Sequence, residues 1–176
     1  MFELERNSIS AGSAPVKRDF LQFEFDVLDM RGTLNWIEAR MKEPRFRYVV
    51  TPNVDHVVRR HERGDIRTDA AYDAADLCVC DSRILARLAG RSDLHLPLVP
   101  GSDLTRQLLD YELTSGRVAV IGGDAPLHDA LRSIYDRFDW QFFEPPMGVL
   151  RDPKARDAIA QFVENAKADI VLFAIG

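Results

Sequence analysis

Residues 49–61, VVTPNVDHVVRRH, change character within a few positions. Two β-branched valines close a short apolar run, Thr51-Pro52-Asn53 interrupts it, and Val54, Val57 and Val58 then recur at helical spacing. A strand that hands over at once to a helix is the repeating unit of an α/β fold. Thr51 fits the N-cap, Pro52 the first helical position, and the helix is expected from Asn53 to about Glu62. Such a helix start carries unpaired N–H groups and partial positive charge, which suit a phosphate or carboxylate. A plain capped helix is the other reading, and Asn53 is the side chain placed to face a ligand.

The same handover recurs along the chain. LQFEFDV alternates cleanly and reads as a half-exposed strand with Gln22, Glu24 and Asp26 outward, and Thr33 can cap a helix running to about Met41. A helix near 68–74 precedes the strand LCVC; Asp81 follows, with a helix near 82–89. LPLVPGSD leads into a helix at 104–113. RVAVI ends at Gly122-Gly123, and Asp124-Ala125-Pro126 opens a helix to about Phe138. WQFF is a strand, EPPMGVLRDP a loop, Pro153 starts a helix to about Lys167, and DIVLFAIG is the last strand. This alternation predicts an α/β, Rossmann-like fold with a largely parallel sheet and helices on both faces. One core domain is expected over 20–176, after a flexible arm at 1–19. Ligands in such sheets bind beyond the carboxyl ends of the strands. That places the candidates at Thr51-Pro52-Asn53, Asp81-Ser82, Gly122-Gly123-Asp124 and the final Gly176, with Gly101-Ser102-Asp103 a further polar helix start.

Composition narrows the function classes. With 176 residues and 46% hydrophobic content the chain can bury a substantial core. A net charge of −5 argues against nucleic acid as the main partner. No stretch reaches the roughly 20 apolar residues of a membrane span, and MFELERNSIS lacks a signal core. The expectation is a soluble protein, or one peripheral to a membrane. Cys78 and Cys80 would share a strand face and read as reduced, buried thiols rather than a bridge or metal pair. Arg59, Arg60, Arg63 and Arg67 form a basic cluster, either a solvated face or a contact for anionic headgroups.

The junctions differ in what they can do. A carboxylate at Asp81 can serve as a general base, its pKa raised by partial burial, or simply cap the helix that follows. Gly122-Gly123 lets backbone approach a ligand, yet Asp124, Ala125 and Pro126 stand where a dinucleotide fingerprint would continue, so a tight turn is the simpler account. His56, His61, His95 and His128 form no metal-binding spacing; His56 and His61 read as surface positions. Neither D-x-D, G-x-S-x-G nor a P-loop occurs.

In order and rough spacing, VVTPNVDHVVRRH, AADLCVCDS, VPGSDL, VAVIGGD and ADIVLFAIG resemble the WecG/TagA/CpsF family, bacterial glycosyltransferases of family 26. The resemblance covers about residues 25–176. It implies inverting transfer of a sugar from a UDP-sugar to an undecaprenyl diphosphate-linked saccharide in cell-surface or exopolysaccharide synthesis, at the cytoplasmic face of the plasma membrane. It further implies Asp81 and Thr51 as catalytic residues, no metal cofactor, and substrate contacts from Asn53, Gly101, Ser102, Asp103, Gly122, Gly123 and Gly176. Ser82 stands where the family commonly has glycine. Family members continue past the last strand with a segment that helps complete the site and engage the membrane; the chain is expected to lack it, and self-association is expected to be possible. An NAD-type oxidoreductase and a non-catalytic nucleotide-binding module are the alternatives on the same fold.

Overall fold

A computed structural model describes residues 14–41 and 43–175; residues 1–13 of the expected arm, and Gly176, lie outside the described residues. The chain divides into two units, Met1–Leu108 and Leu109–Gly176.

The first unit begins with a hairpin. Strands β1 (Lys17–Phe20) and β2 (Phe23–Asp26) pair antiparallel, with Phe20 opposite Phe23. Leu21 and Gln22 turn the chain with φ of 48° and 67°, the backbone twist that a two-residue hairpin turn requires. Residues 17–19, expected in the arm, are therefore strand, and the alternating run is only half strand. Neither Leu nor Gln is a turn residue, so the sequence carried no signal for it. Phe23 and Phe25 point into the core as the alternation predicts. Asp26 does not point outward: it is 2% exposed, and its Oδ2 accepts the Cys78 N–H at 2.7 Å.

Helix α1 (Met30–Met41) starts a turn before Thr33, which is buried inside it and donates its hydroxyl to the Asp29 carbonyl at 2.8 Å. Asp29 Oδ1 accepts the Gly32 N–H at 2.7 Å, so the opening of the helix is served by Asp29. Strands β3 (Val49–Val50) and β4 (Leu77–Cys78) pair in parallel, and a parallel bridge joins Cys80 to Leu98. Residues 77–80 are buried throughout, as suits a strand covered on both faces. Cys78 and Cys80 are free, buried thiols packed with Phe23, Phe25, Leu85, Ala89 and Leu96. Helix α2 (Val54–Arg63) follows β3, and α3 (Ile66–Asp73) precedes β4, opening two residues before its expected start near Thr68 because Asp65 caps it. Helix α4 (Arg83–Gly90) follows β4; α5 (Gly101–Gln107) starts before its expected Leu104 and runs into a π-helical turn, Leu108–Glu112.

The second unit is a three-stranded parallel sheet in the order β6-β5-β7, formed by β5 (Gly116–Gly122), β6 (Phe138–Phe143) and β7 (Ile170–Ala174). Val118 lies opposite Trp140 on one side and Ile170 on the other. Val118 to Ile121 are buried, again the mark of a central strand. Helix α6 (Ala125–Ile134) connects β5 to β6 and α7 (Pro153–Ala166) connects β6 to β7. α6 stops short of Phe138 because that residue already opens β6, where it packs with Leu109 and Val118. A 3-10 turn, Val149–Arg151, lies within the predicted loop. The protein is thus a mixed α/β, Rossmann-like chain whose strands pair in parallel, apart from the opening hairpin.

Candidate functional site

Three backbone segments run out together at the carboxyl end of the parallel strands of the first unit. Val79 N donates to Val50 O at 3.0 Å, Asp81 N to Pro52 O at 3.1 Å, and Val99 N to Cys80 O at 2.8 Å. This ladder sets Thr51, Asp81 and Gly101 side by side. A Cβ added to Gly101 would stand 2.8 Å from Thr51 Oγ1 and 3.6 Å from Asp81 Oδ2, so the Gly101 backbone closes directly over both side chains. The sequence separations, 30 and 20 residues, are bridged entirely by the sheet.

Thr51 is not the helix cap. Asn53 holds that position, its backbone extended and its Oδ1 accepting the N–H groups of Asp55 and His56 at 3.0 and 3.3 Å. Pro52 is buried one residue before the cap rather than inside the helix. Asn is a better N-cap than Thr, and moving the cap two residues on releases the Thr51 hydroxyl toward Gly101. His56, read as a surface position, closes the capping box. Its Nδ1 lies 2.8 Å from Asn53 Oδ1 and 3.2 Å from Asn53 N, so it donates to the first when protonated there and accepts from the second when not. The signal was present in the sequence as cap and N3 spacing, but the N3 partner of such a box is normally Glu or Gln.

Asp81 does not cap α4 either. Ser82 does, its Oγ accepting the Leu85 N–H at 3.2 Å, which leaves the Asp81 carboxylate for other work. Asp81 is half-buried between fully buried Cys80 and Ser82. Burial pushes its carboxyl above the usual range, and nearby Asp103 adds to the rise; a hydrogen bond from the Gly101 N–H and the charge of His56 pull it back. α5 opens without a side-chain cap, its first residues being Gly101 and the exposed Ser102 and Asp103. The group can thus accept a proton from a hydroxyl brought to the strand ends.

Gly122 and Gly123 lie in the second unit, with φ of 101° and 74°. A Cβ on Gly122 would come within 2.3 Å of the Ala174 carbonyl oxygen, so this glycine is demanded by the close approach of β7. Asp124 caps α6 by accepting the Leu127 N–H at 3.1 Å, and the buried His128 sets Nε2 2.9 Å from the Gly122 carbonyl while stacking on Phe142. Gly176 lies outside the described residues.

Two arginines of the cluster are committed to structure. Arg59 pairs with Asp55 at 2.9 Å, and Arg60, 10% exposed, pairs with Asp69 and Asp73 while lying over the Phe23 ring. An opening of about 410 Å³ lined by Arg117, Arg137, Asp139, Lys167 and Asp169 sits at the amino ends of the second unit's strands, away from the end where such sheets bind ligands. Its arginines are already engaged, Arg117 by Asp139 and Arg137 by backbone carbonyls. Among the described residues no group of three or more His, Cys, Asp or Glu is placed to hold a metal ion, and no helix is long and apolar enough to cross a membrane.

A parallel α/β chain with a carboxylate set at its strand ends fits a transferase. The chain matches the model of the glycosyl transferase WecG/TagA/CpsF family over residues 18–176 and belongs to that family, whose activity is glycosyl transfer in cell-surface polysaccharide synthesis. No curated protein matches it. Membership in a transferase family sets aside the oxidoreductase reading.

Proposed function

We propose that the protein moves a sugar, with inversion, from a UDP-sugar to an undecaprenyl diphosphate-linked saccharide at the cytoplasmic face of the membrane, with Asp81 as general base. The observation that carries this reading is the Asp81 carboxylate itself: half-buried, not used as a cap, raised in pKa by burial, and grouped with Thr51 and Gly101. A carboxylate whose pKa is raised by burial is a stronger base toward a hydroxyl proton than an exposed one.

In the proposed step the acceptor hydroxyl oxygen forms a bond to the anomeric carbon as its proton passes to Asp81. The bond between that carbon and the diphosphate oxygen breaks, and UDP leaves with the electron pair. Thr51 and Asn53 orient the reacting sugar, and the start of α5 at Gly101, Ser102 and Asp103 borders the same space. The developing charge on UDP is met by backbone N–H groups and cations, without a metal ion.

Asp81→Asn keeps the shape and removes the base. The expected result is a loss of transfer of about 10²-fold or more with an unchanged circular dichroism spectrum and a melting temperature no lower than that of the wild type. Full activity in this variant removes Asp81 from the chemistry. Calorimetric titration with UDP, with NAD as the control, tests the donor class: binding of NAD alone overturns the reading.

A further inference from the structure

Helix α4 begins two residues after Asp81 and carries a face that the fold does not use. Leu85 and Ala89 are buried, while Arg83, Ile84, Arg87, Leu88 and Arg91 are exposed. At about 100° per residue these five side chains occupy one continuous arc, opposite the buried pair. Ile84 is 59% and Leu88 39% exposed, adjacent on this face one turn apart. The side chains of Arg83, Arg87 and Arg91 form no hydrogen bond or ion pair with any described residue, in contrast to those of Arg59 and Arg60. Residues 82–92 contain no acid, although the chain as a whole has a net charge of −5.

We propose that this face of α4 docks on the surface of an anionic phospholipid bilayer. Three guanidinium groups in a row match lipid phosphates, and Ile84 and Leu88 beside them can enter the boundary between headgroups and acyl chains. A second copy of the same face would bring arginine against arginine, and a nucleic acid would leave the two aliphatic side chains unused. Docking through α4 sets the Asp81 strand end beside the membrane surface, where a lipid-linked acceptor presents its hydroxyl. That purpose rests on the proposed transfer, but the docking does not. Vesicle binding is scored without turnover, so inactivity of Asp81→Asn and failure of docking are separate results.

The test is co-sedimentation of the whole chain with vesicles of phosphatidylglycerol and phosphatidylcholine at about 0.1 M salt, where surface charges still act over about 10 Å. Phosphatidylcholine vesicles serve as the control. Binding to the anionic vesicles is expected, falling on the order of a hundredfold in the triple variant Arg83→Gln/Arg87→Gln/Arg91→Gln and declining as salt rises. Ile84→Ser/Leu88→Ser is expected to weaken it further. All five positions are exposed, so the variants should keep the wild-type melting temperature. No binding by the wild type, equal binding to neutral vesicles, or undiminished binding by the triple variant would each overturn the proposal. So would a dimer in sedimentation velocity without vesicles that the triple variant dissolves, because the face would then belong to a second copy.

Discussion

Asp26 shows how a single side chain can be placed against its sequence pattern. Alternation puts it with Gln22 and Glu24 on the exposed side of a strand, but the strand ends there, and the backbone of β4 needs an acceptor. Its Oδ2 satisfies the Cys78 N–H, and its Oδ1 is buried without a hydrogen-bond partner among the described residues. Burial holds its carboxyl above the ordinary range, against the pull of the Cys78 N–H and of Lys17. The folded protein therefore binds this proton more tightly than the unfolded chain, and the contribution to stability falls as pH rises from the ordinary carboxylate value through the raised one. Asn at this position retains an acceptor and carries no charge. Urea titrations of wild type and Asp26→Asn should show the variant gaining relative stability from about pH 4 toward neutrality. Asp81 is raised in both proteins and cancels in the difference, so parallel curves would refute the assignment.

At the scale of the element, caps decide where helices begin and which side chains are left for chemistry. Asn53 and Ser82 take the caps of α2 and α4, and Thr51 and Asp81 are released as a result. Asn53→Ala removes the acceptor for two backbone N–H groups and unseats His56; a loss of about 1 kcal/mol is expected in denaturant unfolding, with Asn53→Ser recovering most of it. An Ala variant as stable as wild type would mean that the box contributes nothing. The existence of the helices and strands was legible because the apolar period changes at each handover. Their ends were less so: Thr51, Asn53, Asp81 and Ser82 are all acceptable caps, and the choice depends on which carbonyls and N–H groups the neighbouring strands leave unpaired.

For the molecule as a whole, Cys78 offers a report on cohesion. Its thiol is buried and pushed up to about 12, chiefly by burial and then by the neighbouring Asp26. At pH 8 a thiolate-directed reagent should label the native protein only as fast as the core of the first unit opens, and labelling should become rapid in denaturant. Fast labelling of Cys78 in native buffer would contradict the packed arrangement with Phe23, Phe25 and Leu85.

The amino-acid sequence by itself determined the α/β class, the parallel strands, the buried thiols and the family, because hydrophobic period and motif order are properties of the chain read in one dimension. Tertiary structure alone decided that residues 17–26 fold as a hairpin, that Asp26 turns inward, that His56 joins Asn53, and that Gly101 closes over Thr51 and Asp81. The places of Asp26 and Gly101 depend on which strand lies beside which, and pairing across 20 or more residues leaves no local trace in the sequence; the hairpin turn and the His56–Asn53 box are local, but neither uses the residues usual for its motif.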